Sequence, residues 1–128
     1  MKPIVLIVDD ELDTLIILRI LLESKGYDVE EAHNGVEALE KIKTKKPDLI
    51  LLDVMMPEMD GYTVCRKIKS EKDTKNIAVI LLTVRSLSVD IEKGKKCGAD
   101  FYITKPFDSY ALLNDIHKIL SKKKLSKA

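Results

Sequence analysis

The chain has 128 residues, which is enough for one compact domain with a core of its own. Hydrophobic residues make up 45% of the chain and charged residues 34%, a composition that excludes a disordered chain. The formal net charge is only +1, which excludes a strong overall electrostatic attraction to nucleic acid or membrane. The apolar runs fall short of the roughly 20 residues that a membrane-spanning helix needs, and two cysteines without motif spacing favour a reducing compartment, so we expect a cytoplasmic protein.

The first half of the chain alternates between strand and helix patterns. Ile4–Val8 is a continuous apolar run, typical of a strand that is buried on both faces. The helix after it has an apolar face formed by Leu15, Leu18 and Leu22. A weaker second strand is predicted over Tyr27–Ala32. The second helix opens on Asn34 as its cap, and its predicted apolar face consists of Val36, Leu39 and Ile42.

The second half repeats the alternation three more times. The third, fourth and fifth strands are predicted over Asp48–Leu52, Ile77–Leu82 and Asp100–Ile103. The third helix has its apolar face at Val64, Cys65 and Ile68, and the long fifth helix at Leu112, Leu113, Ile116, Ile119 and Leu120. The fourth helix, around Val89 to Lys96, has low helix propensity because it contains two β-branched residues and a glycine.

Five strand–helix repeats predict a doubly wound α/β domain with a parallel sheet. Right-handed crossovers leave few topologies, and the strand order 2-1-3-4-5 is one of the two common ones. We expect this domain to cover residues 1–121 and a basic tail to cover residues 122–128.

Polar residues end the apolar pattern at the same place in several repeats. They follow the predicted strands and are Asp9, Asp10, Asp53, Thr83 and Lys105. Strands 1 and 3 are neighbours in the expected order, so the three carboxylates converge at the carboxyl edge of the sheet. Such carboxylates repel one another unless cations join them, and Mg²⁺ prefers a few carboxylates together with water and phosphate oxygens. A carboxylate in this setting can attack a phosphoryl donor.

The motifs around these residues resemble the receiver domain of two-component response regulators, which belongs to the CheY-like superfamily. The matching motifs are Val8-Asp9-Asp10-Glu11, Leu52-Asp53-Val54-Met55-Met56-Pro57-Glu58-Met59-Asp60-Gly61, Leu82-Thr83 and Lys105-Pro106-Phe107. The resemblance covers roughly residues 3–121. It implies a single doubly wound (βα)5 flavodoxin-like domain with a five-stranded parallel sheet of order 2-1-3-4-5. It also implies a phosphoaccepting signalling switch that catalyses only its own phosphorylation and dephosphorylation.

The same resemblance implies roles for the acidic residues. Asp53 would accept the phosphoryl group from a phosphohistidine on a sensor kinase or a phosphotransfer protein. Asp10, Asp53 and the backbone carbonyl of Met55 would bind Mg²⁺ or Mn²⁺ directly, and Asp9 would bind it through water.

Other residues would control the switch and its duration. Lys105 and Thr83 would assist the transfer, and the Lys105-Pro106 peptide bond is expected to be cis. Thr83 and Tyr102 would form the switch pair that alters the face made by the fourth helix, the fifth strand and the fifth helix. Met55 and Arg85, two positions past Asp53 and Thr83, would give the phosphorylated state a long lifetime. The Met55 thioether orients water poorly, and the long cationic side chain of Arg85 would lie over the phosphoryl oxygens as a partial lid.

The expected partners follow from this interpretation. They are a sensor histidine kinase or phosphotransfer protein, and a downstream effector or an output domain that this chain lacks. We expect no direct binding to nucleic acid or membrane by this chain, and either a monomer or a phosphorylation-dependent dimer. A standalone regulator and the receiver of a longer protein both fit the sequence.

Three other functions fit the α/β pattern less well. A flavin-binding module would need a phosphate loop rich in Ser, Thr and Gly after the first strand, where this chain has the acidic segment 9–13. A haloacid-dehalogenase-like phosphatase would need a second Asp two residues after Asp53, where Met55 stands. A degenerate receiver, acting as a phosphorylation-independent interaction module, is the main alternative, and phosphate uptake by Asp53 separates it from the favoured interpretation.

Overall fold

The computed structural model describes residues 2–84, 92 and 95–127, with side chains as far as residue 123. The strands are β1 (Ile4–Val8), β2 (Asp28–Ala32), β3 (Leu49–Asp53), β4 (Ala78–Thr83) and β5 (Phe101–Thr104). The helices of the described part are α1 (Leu12–Ser24), α2 (Gly35–Thr44), α3 (Gly61–Ser70) and α4 (Ser109–Lys127). Helix α4 is thus the predicted fifth helix, while most of the predicted fourth helix lies outside the described residues.

The five strands form one parallel sheet of order β2-β1-β3-β4-β5, as predicted. Strands β3 and β4 are buried along their whole length, which agrees with their continuous apolar sequences. Three of the predicted strands end one residue later than expected. Asp53 and Thr83 are therefore the last residues of β3 and β4 rather than the residues that follow them.

Helices pack on both faces of the sheet and divide the core into two clusters. Leu15, Leu18 and Leu22 of α1 pack with Leu112 and Ile116 of α4 on one face. The other face is covered by α2 and α3 through residues that include Ala38, Ile42, Val64, Cys65 and Ile68. The apolar faces of α1, α3 and α4 thus lie where the sequence pattern predicted.

The predicted face of α2 is wrong at one position. Val36 is 49% exposed, and the buried residues of this helix are Gly35, Ala38 and Ile42. The reason is a close approach of α2 to α3: a Cβ atom at residue 35 would lie 2.7 Å from Val64 Cγ2. Because the helix turns its glycine toward α3, the neighbouring valine points away from the core.

Side chains cap two helices and anchor the amino edge of the sheet. The Glu37 N–H donates to Asn34 Oδ1 at 2.8 Å, which confirms the predicted cap of α2, and the Thr63 N–H donates to Asp60 Oδ1 at the start of α3. Lys69 Nζ donates to the Ile77 carbonyl and to Asp100 Oδ2 at 2.7 and 2.8 Å.

Two remaining expectations concern the chain as a whole. None of the described helices is both long and apolar enough to cross a bilayer. Helix α4 runs past residue 121 as far as Lys127. The division into a domain over residues 1–121 and a basic tail over residues 122–128 stays a prediction.

Candidate functional site

Three carboxylates meet at the carboxyl edge of the sheet. Asp9 and Asp10 follow β1 directly, and Asp53 ends the neighbouring strand β3. One carboxylate oxygen from each lies within 4.8 Å of the others. Asp9 and Asp53 are buried, while Asp10 is exposed, so the cluster opens to solvent on the Asp10 side. This convergence is what the order of strands predicted.

A half-buried lysine joins two of these carboxylates. Lys105 Nζ donates to Asp9 Oδ2 at 2.8 Å and to Asp53 Oδ1 at 3.2 Å. The other oxygen of Asp9 accepts the Glu11 N–H at 2.9 Å. Both oxygens of Asp9 are therefore engaged in holding the start of α1 and the lysine. The Lys105-Pro106 peptide bond is cis, as predicted.

Gly61 makes a backbone approach to Asp53 that sequence analysis missed. The Gly61 N–H donates to the Val54 carbonyl, and a Cβ atom at this position would lie only 2.5 Å from the carbonyl oxygen of Asp53. Glycine is therefore required where α3 begins, because any side chain would displace the backbone that carries the central carboxylate. The available signal was a glycine three residues before the apolar face of the predicted third helix.

Thr83 and Tyr102 occupy adjacent strands beside the carboxylates. Leu82 is paired with Asp53 across β3 and β4, so Thr83 lies one residue further toward the site. The Thr83 carbonyl accepts the Lys105 N–H at 2.6 Å. Thr83 is buried, and Tyr102 on β5 is half-buried against the core. The two residues predicted as a switch pair are thus on neighbouring strands, with Tyr102 paired to Leu81, two residues before Thr83.

Of the two residues predicted to control phosphate lifetime, only Met55 lies in the described part of the chain. Met55 follows β3 by two residues, and its side chain is exposed. Arg85 lies outside the described residues, as do Val89 and most other positions of the predicted fourth helix.

Burial is the main cause of an altered titration at Asp53. It raises the pKa of Asp53 from 3.8 to about 6, the charge of Asp9 adds to the rise, and Lys105 opposes it. Burial by itself lowers the pKa of Lys105, but its hydrogen bonds and charge interactions with Asp9 and Asp53 outweigh this effect and raise the pKa overall. Lys105 is therefore cationic at neutral pH and partly neutralises the cluster.

These shifts predict the pH dependence of folding in the metal-free protein. The folded pKa of Asp53 lies above its unfolded value of about 3.9, so the native state binds more protons between these values and stability falls as pH rises through them. The destabilisation of the folded state by ionised Asp53 is complete above about pH 6 and absent below about pH 4. We expect Asp53→Asn to stabilise the apo protein by about 3 kcal/mol near neutral pH, with the advantage shrinking toward pH 4.

Urea unfolding in EDTA at several pH values measures this difference. Asp60→Asn is the matched control, because Asn replaces Asp well as a helix cap and this residue is outside the cluster. An advantage of Asp53→Asn that stayed constant from acid to neutral pH would contradict the assigned cause.

The donor set fits a hard divalent cation. Mg²⁺ and Mn²⁺ bind oxygen ligands, and the cluster offers three carboxylates. The exposed position of Asp10 leaves the site accessible to water and to phosphate oxygens. Together with Lys105, a divalent cation would balance charges that otherwise repel.

Comparisons with known proteins agree with this arrangement. The family model described as response regulator receiver domain matches residues 5–117. The chain is 39% identical over 126 residues to the alkaline phosphatase synthesis transcriptional regulatory protein PhoP of Bacillus subtilis, covering 98% of this chain and 52% of that protein. It is 42% identical over 121 residues to the response regulator MprA of Mycobacterium ulcerans, covering 94% and 51%. The chain thus spans about half the length of the curated relatives it matches.

A solved structure gives the same assignment. The signal receiver domain of a signal transduction histidine kinase from Syntrophus aciditrophicus superposes with a TM-score of 0.90 at 41% identity, covering 94% of this chain and 92% of that one. This superposition and the family match agree with the strand order and with the carboxylates at the edge of the sheet. The chain belongs to the response regulator receiver domain family of two-component signalling.

Proposed function

We propose that this receiver domain accepts a phosphoryl group on Asp53 from a phosphohistidine of a sensor kinase or phosphotransfer protein. The observation that carries the proposal is the buried Asp53 carboxylate, which faces Asp9 and Asp10 within 4.8 Å and is bound by Lys105. Because Asp53 ends the central strand β3, its position is supported by the core of the domain.

The reaction needs a nucleophile and compensation of charge. An Asp53 carboxylate oxygen attacks phosphorus, an oxygen–phosphorus bond forms, the phosphorus–nitrogen bond of the donor breaks, and the imidazole leaves. Lys105, cationic and already hydrogen-bonded to Asp53, neutralises developing charge on the phosphoryl oxygens. Thr83, buried beside Asp53 at the end of β4, supplies a hydroxyl to the same oxygens.

A divalent cation completes the site. We assign Asp10, Asp53 and the Met55 carbonyl as direct ligands of Mg²⁺ or Mn²⁺ and Asp9 as a ligand through water. When bound, the cation supplies charge neutralisation and alignment for the phosphoryl group. Asp9 suits an indirect role because both of its oxygens already accept hydrogen bonds.

A mass measurement tests this function against the degenerate-receiver alternative. Wild-type protein incubated with acetyl phosphate and Mg²⁺ is expected to gain the mass of one phosphoryl group, and EDTA should prevent the gain. A chain that gained no mass under any divalent cation would be a phosphorylation-independent interaction module instead.

We further propose that the phosphodonor protein docks on α1. Four large aliphatic residues of this helix are between 51% and 64% exposed, and they are Leu12, Ile16, Ile17 and Ile20. Leu12, Ile16 and Ile20 are four residues apart and therefore share one helix face. The helix begins two residues after Asp10, so this apolar face borders the carboxylate site. Contiguous exposed apolar surface of this kind marks interaction sites.

Charged substitutions on this face should separate docking from chemistry. We expect Ile16→Asp and Ile20→Asp to reduce phosphotransfer from a phosphorylated kinase at least tenfold, because burying an unpaired charge in the interface costs more than about 1.4 kcal/mol. Phosphorylation by acetyl phosphate should be unchanged. The probe is a panel of autophosphorylated sensor kinases from the same genome, with labelled phosphate followed to Asp53.

Phe101→Asp on β5 is the control for this comparison, because it places the same charge at an exposed apolar residue on the opposite edge of the sheet. If the α1 variants accepted phosphate from every kinase as fast as wild type, the donor would dock elsewhere.

We propose that phosphorylation alters the face formed by the predicted fourth helix, β5 and α4. The Thr83 hydroxyl would move toward the phosphoryl group, and Tyr102 on the paired strand β5 would move into the space that it leaves. We expect hydrogen exchange to change over residues 84–107 when a beryllofluoride phosphate mimic binds. Changes confined to residues 27–45 would place the output on α2 instead.

The remaining proposals concern duration, partners and location. Met55 is exposed at the site, and its thioether orients water poorly, which supports a long phosphate lifetime; the contribution of Arg85 stays a prediction.

A downstream effector, or an output domain beyond this chain, would bind the altered face. The buried thiols Cys65 and Cys97 support a reducing, cytoplasmic location.

A further inference from the structure

Two cysteines that are far apart in sequence contact each other in the core. Cys65 lies on α3 and Cys97 lies shortly before β5, and both are at most 2% exposed. Cys65 Sγ approaches the Cys97 carbonyl oxygen at 3.5 Å across a sequence separation of 32 residues. Each thiol also shifts the pKa of the other, which agrees with their proximity. This pair has no part in the phosphoryl-transfer site.

The environments of the two thiols differ in a way that favours different chemical roles. The interaction with the Cys65 thiol is the largest cause that lowers the pKa of Cys97; burial opposes it, and the Ala99 N–H and the Arg66 charge add to the lowering. The same interaction, together with burial, raises the pKa of Cys65. We therefore take Cys97 as the attacking thiol, and the single variants described below test this assignment.

We propose that Cys65 and Cys97 form a reversible intramolecular disulfide when the protein meets hydrogen peroxide. The direct contact of the two residues across α3 and the chain entering β5 supplies the geometry. The pair is therefore an oxidative modification site, distinct from Asp53.

The chemistry balances in two steps. The Cys97 thiolate attacks one peroxide oxygen, the oxygen–oxygen bond breaks, and hydroxide leaves with the proton that Cys97 had released, giving a sulfenic acid and one water. Cys65 sulfur then attacks Cys97 sulfur, the sulfur–oxygen bond breaks, and the Cys65 proton leaves with the hydroxyl group as a second water. Two thiols are oxidised by two electrons, and one peroxide is reduced to two waters.

The crosslink would join α3 to the segment that leads into β5. Asp100, three residues after Cys97, donates its N–H to the Val79 carbonyl near the start of β4. The pair therefore lies toward the amino edge of the sheet, away from the carboxylates at the carboxyl edge. The disulfide would close a covalent ring that contains β4, so oxidation would restrict how α3, β4 and β5 move relative to one another.

Intact mass after peroxide treatment tests the proposal on the whole chain. Reduced protein is exposed to hydrogen peroxide, unfolded in the presence of N-ethylmaleimide, and weighed before and after treatment with dithiothreitol. We expect a loss of two hydrogens, no alkylation of either thiol, migration as a monomer, and full reversal by dithiothreitol. Peptide mapping should find the Cys65–Cys97 link.

Single variants test the assigned roles. Cys65→Ser should leave Cys97 as a sulfenic acid that dimedone traps, whereas Cys97→Ser should leave Cys65 unreacted over the same time. Wild-type protein with both thiols still open to alkylation would overturn the proposal. So would disulfides formed only between chains, or sulfinic acids formed without a crosslink. The readout does not involve phosphate, so its result is independent of the role of Asp53.

Discussion

Asp53→Asn is expected to abolish phosphoryl uptake completely, whereas the wild-type chain takes up one phosphoryl group. The physical reason is the loss of the anionic oxygen that attacks phosphorus, since a carboxamide oxygen is a poor nucleophile and carries no charge. The neighbouring carboxylates should not substitute for it. Asp9 has both oxygens engaged in hydrogen bonds, and Asp10 is exposed rather than enclosed with Lys105. Acetyl phosphate with Mg²⁺, followed by intact mass and peptide mapping, measures the result.

A matched control separates chemistry from folding in this experiment. Asp60→Asn makes the same change seven residues further along, at the cap of α3, where Asn also serves. It should gain one phosphoryl group like wild type. Full uptake by the Asp53→Asn protein would show that another residue is the acceptor and would overturn the proposed function.

Asp10→Asn is expected to remove most of the stabilisation that Mg²⁺ gives. A ligand that binds only the folded state adds about 2.7 kcal/mol when its concentration is 100 times its dissociation constant. Losing a directly bound carboxylate should weaken binding by at least the roughly 10- to 100-fold that outer-shell substitutions cost, so little of this increment would remain. The same substitution removes one of three mutually repelling charges, so the apo variant should be slightly more stable than apo wild type.

Thermal midpoints with EDTA and with Mg²⁺ measure both effects. Asp13→Asn is the control, because it neutralises an acid in the first turn of the same helix but outside the cluster. That protein should keep the wild-type Mg²⁺ shift. An unchanged shift in the Asp10→Asn protein would remove Asp10 from the metal site and leave Asp9 and Asp53 as the carboxylate ligands.

The sequence pattern predicted the alternation of strands and helices, and the resemblance to receiver domains implied the strand order that brings the carboxylates together. Ile4–Val8 is a continuous apolar run, whereas the buried leucines of α1 recur every three or four residues. Strand and helix could therefore be distinguished from local sequence. Residues at the carboxyl ends of neighbouring parallel strands must lie at one edge, so Asp9 and Asp53 could be placed together once the strands were assigned. Strand β3 lies one residue later than predicted, so Asp53 ends the strand instead of following it and still lies at the carboxyl edge of the sheet.

Other features depend on how separate elements approach one another. Val36 fits an apolar helix face by its spacing, yet it is exposed because Gly35 is the residue that α2 turns toward Val64. Gly61 ends the motif that follows the third strand, and in the structure its backbone lies against the Asp53 carbonyl. Local patterns contain no distance between such segments, so neither contact could be predicted from them.

By itself, the sequence determined the alternation of elements, the class of fold and the identity of the residues at the carboxyl edge, because hydrophobic periodicity and chain order act locally or through simple topology. Only the tertiary structure decided the raised pKa of Asp53, the pairing of Lys105 with two carboxylates and the contact between Cys65 and Cys97. Burial, charge interactions and thiol contacts depend on distances between atoms that are far apart along the chain, and packing alone sets those distances.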